Sequence, residues 1–549
     1  MKKLLSCLLS LALLASLATV PAAAAYSDVP SGSTLAAEVQ KAVNYGLMNG
    51  YSASTFGYSD PMTRAQFVTV LGRMLGWFSD THVAMWQIPA GMEVPSSLSE
   101  MYLYAIEQAA QRDVADTDKP FRPSDPITRG EMAEILVRAL GLKGAATLAG
   151  KYASLPFTDV TEGRGYISVA YDIGMTKGTS ATTFGPDQTA TRAQAAAMLV
   201  RIYEKRRQST DFLHGFYALS SYSQIGLMSS MDAVSVGWSR MTWDGTTALL
   251  STTSAQGNEY AIPSGYDEVV SQAEKGGVKL HLNVFMDGQG LKDMLSSDAG
   301  RTQAVEQILT ELTVSYKTIG ENPYDGVTID FEGLRSASMV AFDQFLTELA
   351  GRVHALGKTL YVCVPPVLTT GSYYDGYNIA RITALSDKVI LMAYDYEDRT
   401  MAQGASALTS APTSPMDQVY WSVKKAVEQA GQDAGKLVLG FSCKNVAWKV
   451  TSTTDLTLAA SAPFYVSNDT LNQRLSQSGT VKGWSDTFQC PYAVYTTEDG
   501  SAYFVWYDNA RSVQARLDMA KLLGVTGASV WRLGTVPTYS GWSWLGNLG

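Results

Sequence analysis

From residue 211 to 536 this chain alternates short runs of β-branched and aromatic residues with long stretches of helical periodicity, and few folds tolerate that rhythm. The runs are LHGFYAL (213–219), AVSVGW (233–238), KLHLNVF (279–285), GVTIDFE (326–332), TLYVCVPP (359–366), KVILMAYD (388–395), KLVLGFS (436–442) and GASVWRLG (527–534). Between them lie stretches such as AVEQILTELTVSYKTIG and SMVAFDQFLTELAGRVHALG. Strands that alternate with helices in this way predict an α/β fold with a parallel eight-stranded (β/α)8 TIM barrel. The interval before the eighth run is too long for one helix. It holds YAVYTT and AYFVWYD around the turn EDGS, which predicts a small hairpin-bearing insertion.

The fourth run ends in a way that strand stability does not explain. In YDGVTIDFEGL (324–334), Asp330 and Glu332 stand two apart, so both face the same way with Cα atoms roughly 6.5–7 Å apart. Barrels of this kind carry their reactive groups at the C-terminal ends of the strands. Tyr394 and Asp395 end the sixth run and Trp531 lies in the eighth. An acid able to protonate a glycosidic oxygen, a second carboxylate, a tyrosine hydroxyl and a flat indole together read as a glycosidase. Two acids on a solvated loop would be the plainer reading, but GVTI before them has the grammar of a barrel core. Trp531, Tyr217 and Trp238 each fit either a sugar groove or core packing. Asp375, in YYDGYN, reads as a turn residue at a helix start.

The N-terminal part repeats itself. TFGYSDPMTRAQF (55–67), PFRPSDPITRGEM (120–132) and TFGPDQTATRAQA (183–195) align without gaps, and Arg64, Arg129 and Arg192 recur at intervals of 65 and 63 residues. Each arginine follows a threonine suited to capping the helix that comes next. YSDVP and FTDVT open the first and third units ahead of another amphipathic stretch, whereas the middle unit lacks a clean copy.

Two family resemblances follow. Residues 26 to about 205 resemble three surface-layer homology (SLH) repeats, on the Thr-Arg-Ala-Gln/Glu block. That resemblance implies an all-α trio holding an anionic secondary polymer of the Gram-positive cell wall, with Arg64, Arg129 and Arg192 contacting acidic sugars; a guanidinium fork suits a carboxylate. The alternative is that each arginine merely satisfies carbonyls or carboxylates near its helix start. Residues 211 to about 536 look like glycoside hydrolase family 18: DGVTIDFE, MAYD (392–395) and VWRLG (530–534) are similar to its signature, its Met-x-Tyr-Asp and its final-strand tryptophan. The details lean toward the spore-cortex and wall-lytic N-acetylglucosaminidase branch. Thr328 stands where classical chitinases carry an inner aspartate, which puts their paired-aspartate proton relay in doubt. The resemblance implies Glu332, Asp330 and Tyr394 as catalytic residues and Asp395, Trp531, Met392 and Tyr217 as substrate contacts. It also implies a retaining, substrate-assisted mechanism through an oxazolinium ion.

The first 25 residues, two lysines followed by an apolar run and small residues ending A-x-A, read as a secretory signal. Removing Lys2 and Lys3 takes the formal charge from -9 to about -11, which argues against nucleic acid or an anionic membrane as partner. Cys363, Cys443 and Cys490 have no regular spacing, and His82, His214, His281 and His354 have no metal-ligand spacing, so neither a metal nor a cofactor is expected. The domains read as a signal at 1–25, SLH repeats at 26–90, 91–150 (degenerate) and 151–205, a linker at 206–211 and the barrel at 212–549. The function expected is a secreted, wall-attached hydrolase of β-1,4 bonds at N-acetylglucosamine in peptidoglycan. A surface-displayed chitinase and a non-catalytic surface-layer protein or lectin are the rivals.

Overall fold

A computed structural model describes residues 26–79, 86–254, 260–372 and 374–537. The expected leader lies outside the described residues. The chain divides into two compact units, one of Met1–Ala139, Pro156–Thr161 and Met175–Glu204, the other of Leu140–Leu155, Glu162–Gly174 and Lys205–Gly549.

In the first unit the repeated Thr-Arg-x-Gln/Glu block is a reciprocal helix cap. The amide of Gln66 donates to Thr63 Oγ1 and the amide of Thr63 donates back to Gln66 Oε1, at 3.3 and 3.2 Å. Thr128 with Glu131, and Thr191 with Gln194, form the same pair of bonds. Each box satisfies two amides that a helix start leaves unpaired. The three caps also hold one another in a ring: Arg64 N donates to Asp125 O, Arg129 N to Gln188 O and Arg192 N to Asp60 O. Asp28 and Asp159, the acids of YSDVP and FTDVT, take the amides of Phe56, Gly57 and Tyr58, and of Phe184 and Gly185.

The arginine side chains point inward. Arg192 Nε donates to Phe56 O at 3.1 Å and its Nη2 to Asn49 O at 2.8 Å, under the Tyr51 ring. Arg129 bonds Phe184 O at 2.9 Å and Thr176 Oγ1 at 3.0 Å. Arg64 pairs with Glu131 instead. All three are buried. Arg192→Ala strands two buried carbonyls and should lower stability by about 2–4 kcal/mol, read as an earlier thermal transition of the full chain.

The second unit holds the barrel. Its strands, with those of the insertion, are β1 (Phe212–Tyr217), β2 (Ala233–Trp243), β3 (Ala248–Ser251), β4 (Lys279–Met286), β5 (Gly326–Phe331), β6 (Thr359–Val364), β7 (Lys388–Leu391), β8 (Leu437–Ser442), β9 (Asn445–Val450), β10 (Phe464–Val466), β11 (Val481–Ser485), β12 (Cys490–Thr496), β13 (Ala502–Trp506) and β14 (Gly527–Trp531). The order β1-β14-β8-β7-β6-β5-β4-β2, closed by parallel pairing of β1 with β2, makes the eight-stranded barrel, and β3 adds antiparallel to β2. The expected hairpin, β12–β13, is part of a larger five-stranded sheet, β10-β9-β13-β12-β11, around Trp448, Phe504 and Trp506. Helices Lys143–Tyr152 and Arg164–Asp172 also belong to this unit, where Asp172 accepts from Tyr420 and Lys424 at 2.5 and 2.7 Å.

Inside the barrel the strand alternation brings polar residues together. His214 faces Ser529 and Ser235 at 2.8 Å each, Ser235 meets Thr328 at 2.6 Å, and Thr328 reaches His281 at 3.4 Å. Burial pushes His214 down to about 3 and His281 well below its ordinary value, so both rings are neutral. Gly326, the glycine of DGV, is required here. A Cβ on it would lie 2.2 Å from Thr359 O and 2.6 Å from the His281 ring.

Candidate active site

One turn above that network the strand ends deliver the acids. Asp330 is the last inward residue of β5 and is 4% exposed. Asn283 from β4 and the Cys363 thiol from β6 bond its carboxylate and favour the anion, while its Oδ1 is buried without a partner among the described residues. Burial nevertheless pushes Asp330 up to about 6. Glu332 lies one residue past Phe331, with its amide bonded to Met286 O at 2.9 Å. The walls of the barrel mouth and the carboxylates of Asp330, Asp287 and Asp395 push it up to about 7, against the pull of Lys444.

The other acids near Glu332 are neutralised. Arg240 holds Asp287 at 2.8 Å, and Lys444 Nζ meets both oxygens of Asp395 at 2.8 Å. Strand β7 ends at Leu391, so Tyr394 and Asp395 stand on the loop beyond it. Asp395 has φ +63°, a left-handed conformation that aspartate tolerates better than most residues. The Tyr394 hydroxyl stays protonated, because burial first, and the nearby Asp330, Asp395 and Glu332 carboxyls after it, raise its pKa well above the ordinary value. Its ring fills the space where Gly440 of β8 has no side chain; a Cβ there would sit 2.9 Å from Tyr394 Cε1.

Trp531 ends β14, T-shaped against Phe216 with centroids 5.1 Å apart, and Met392 packs on the same apolar cluster. Trp531 separates two cavities, one of about 390 Å³ that also touches Tyr217 and Asn283, and one of about 400 Å³ walled by the insertion. Tyr217 is thus buried and still borders a cavity. Trp238 is fully buried between Tyr266 and Tyr324, so of its two readings core packing holds. Asp375 holds Arg335 and accepts from Ser336 N at 2.9 Å, at the start of helix Ser336–Ala355.

Residue patterns missed Asn283, Cys363, Lys444 and Gly440. Asn283 and Cys363 carried a readable signal, since each sits at an inward position of its strand where an apolar residue is the norm. Lys444 carried none, because its partner is 49 residues away. The described cysteines Cys363, Cys443 and Cys490 are free and buried. Among the described residues there is no cluster of His, Cys, Asp and Glu able to hold a metal, and no helix is long and apolar enough to cross a membrane.

The model of glycosyl hydrolases family 18 matches residues 210–535, and the S-layer homology domain matches 25–68, 94–133 and 156–196. The chain belongs to glycosyl hydrolases family 18. The domain of that family follows three SLH repeats, as the residue patterns implied. It is similar to a cortical fragment-lytic enzyme of Bacillus subtilis (strain 168), 25% identical over 253 residues, which are 45% of this chain and 55% of the relative. A second relative of the same name from Bacillus anthracis is 23% identical, over 38% of this chain and 46% of its own. The chain thus spans about half the length of these relatives. Among solved structures, the spore cortex-lytic enzyme SleL of Bacillus megaterium QM B1551 is 17% identical with a TM-score of 0.47, covering 60% of this chain and 72% of its own. A chitinase of Chromobacterium violaceum ATCC 12472 also scores 0.47, at 19% identity, over 61% of this chain and 97% of its own.

Proposed function

We propose that this glycosidase cleaves β-1,4 bonds at N-acetylglucosamine in peptidoglycan, with retention, by substrate assistance. Glu332 protonates the leaving oxygen and then deprotonates water. The substrate's acetamido oxygen attacks the anomeric carbon; Asp330 accepts from the acetamido N–H and Tyr394 donates to its carbonyl. The observation that carries this reading is the state of the carboxylates around Glu332. Asp330 is buried beneath it and held by Asn283 and Cys363, while Asp287 and Asp395 are tied to cations. None is free to act as the enzymic nucleophile of the two-carboxylate scheme, so the nucleophile comes from the sugar. Trp531 floors the cleavage subsite, with Met392, Asp395 and Tyr217 around it.

This assignment sets the pH dependence. Asp330 must be ionised to accept from the acetamido group and Glu332 must be protonated to donate. The pair therefore gives a kcat/KM bell whose limbs fall near 6 and 7. Asn283 stabilises the Asp330 anion, so Asn283→Ala should move the acid limb to higher pH by about one unit, worth one charge-assisted hydrogen bond. An unmoved limb in the variant's pH–rate profile would refute that role.

Export by the leader and attachment through the SLH repeats to an anionic wall polymer complete the proposal. Two quasi-equivalent grooves support the attachment. Arg64 with Arg138 lines one of about 370 Å³, where Glu131, Asp116 and Glu134 pair with them, and Arg192 with Arg73 lines one of about 170 Å³ whose wall has no acid among the described residues. Tethering at the wall raises the local concentration of the enzyme over its substrate.

The test is to digest purified peptidoglycan and chitin oligomers with the mature protein and identify the new reducing ends by mass spectrometry. Muropeptides ending in N-acetylglucosamine are expected. Cleavage of chitin alone would overturn the peptidoglycan assignment in favour of the surface chitinase.

A further inference from the structure

At the acidic mouth of the barrel, Arg532 has no carboxylate partner among the described residues. Arg532 follows Trp531 and borders both cavities that Trp531 separates. It is partly exposed, and its guanidinium makes a long hydrogen bond, from Nη1 to Ser221 Oγ at 3.4 Å. Among the described residues it forms no ion pair, whereas Arg240 and Lys444 of the same mouth are both paired. A guanidinium does not lose its charge in a protein, so Arg532 keeps a planar, unused fork toward the substrate space.

The cavity of about 400 Å³ suits a sugar. Asn445, Ser467, Asn468 and Thr535 give it amide and hydroxyl groups, Tyr465, 59% exposed, offers a ring face at its edge, and the exposed Asp469 also lines it. We propose that this cavity is a subsite for a sugar bearing a carboxylate, with Arg532 as the receptor that makes the enzyme prefer acidic glycans to neutral ones. The inference rests on the peptidoglycan reading, because in those strands N-acetylglucosamine alternates with a sugar whose lactyl ether ends in a carboxyl group. That group is free in peptide-stripped strands and amide-linked to an acidic stem peptide otherwise.

The experiment measures kcat/KM of the full chain on peptide-stripped strands, on the same strands with carboxyls reduced to alcohols, on stem-bearing strands and on chitohexaose. For Arg532→Gln the ratio of acidic to reduced strands should fall at least about tenfold, as expected for loss of a charge-assisted pair. Arg532→Lys, which keeps charge but not the fork, should fall between. A selective loss seen on stem-bearing strands alone still supports a carboxylate receptor and moves the ligand from the lactyl group to the stem. If Arg532→Gln slows acidic and reduced strands equally, Arg532 only supports Trp531 and the inference is wrong while the peptidoglycan reading stands. If the wild type cuts chitohexaose and none of the strands, both fall together.

Discussion

Glu332→Gln should lower kcat on peptidoglycan strands by about 10³-fold while leaving glycan binding in place, within the span that a positioned general acid supplies. Glutamine preserves the shape of the side chain and its contact with the sugar but has no proton to give at neutral pH. No neighbour can replace it. Asp330 lies below, 4% exposed and bonded to Asn283 and Cys363. Asp287 and Asp395 are each paired with a cation, Arg240 and Lys444. Those same neighbours explain why Glu332 rather than another acid keeps its proton near pH 7. Its site is recessed, and the nearest charges are mostly negative. The loss should shrink on an aryl glycoside whose leaving group needs no protonation, which separates a missing acid from a collapsed site. Reducing-end release and co-sedimentation with insoluble glycan give the two readouts. A variant that keeps more than a tenth of the wild-type rate on strands would remove Glu332 from the role of acid.

The barrel was legible because its eight inner strands are apolar runs whose order along the chain is also their order around the barrel, apart from the insertion. Local pattern and global topology agree there. The two acids stood out for the opposite reason: Asp330 and Glu332 contradict the strand that carries them, and such a conflict points to a site. What stayed hidden depends on distance in sequence. Lys444 neutralises Asp395 only once β8 lies beside β7, and Gly440 matters only because the Tyr394 ring needs its volume. Thr328 was visible as a departure, but its consequence was not. In place of an inner aspartate, the barrel puts a neutral chain of Ser235, Thr328 and two uncharged histidines, and Asp330 is held from the side by Asn283 and Cys363. The SLH arginines show the same limit. Their recurrence is plain in the sequence, whereas the loop carbonyls that Arg129 and Arg192 bond lie 55 and 136 residues away.

Removing the acetyl groups from the strands should abolish cleavage, with a fall in kcat/KM of about 10³-fold or more. Substrate assistance makes the 2-acetamido oxygen the nucleophile, and an intramolecular nucleophile held against the anomeric carbon is worth effective molarities of 10⁵ M upward. A free 2-amino group offers no such oxygen, and at neutral pH its ammonium form would withdraw charge from the developing oxocarbenium centre. Nothing in the protein compensates. A carboxylate nucleophile must approach the anomeric carbon from the mouth, yet Asp330 faces a buried pair of donors and stays beneath Glu332. Tyr394 and Asp330 would also lose their partners, the acetamido carbonyl and N–H, and two buried polar groups would face the sugar unpaired. The comparison needs strands of equal length, one fully N-acetylated and one chemically deacetylated at glucosamine, followed by mass spectrometry of the products. Re-acetylation should restore cleavage, which excludes damage to the strands. If deacetylated strands were cut at a comparable rate, one of the ion-paired acids would have to leave its cation to attack, and Asp395→Asn and Asp287→Asn would show which.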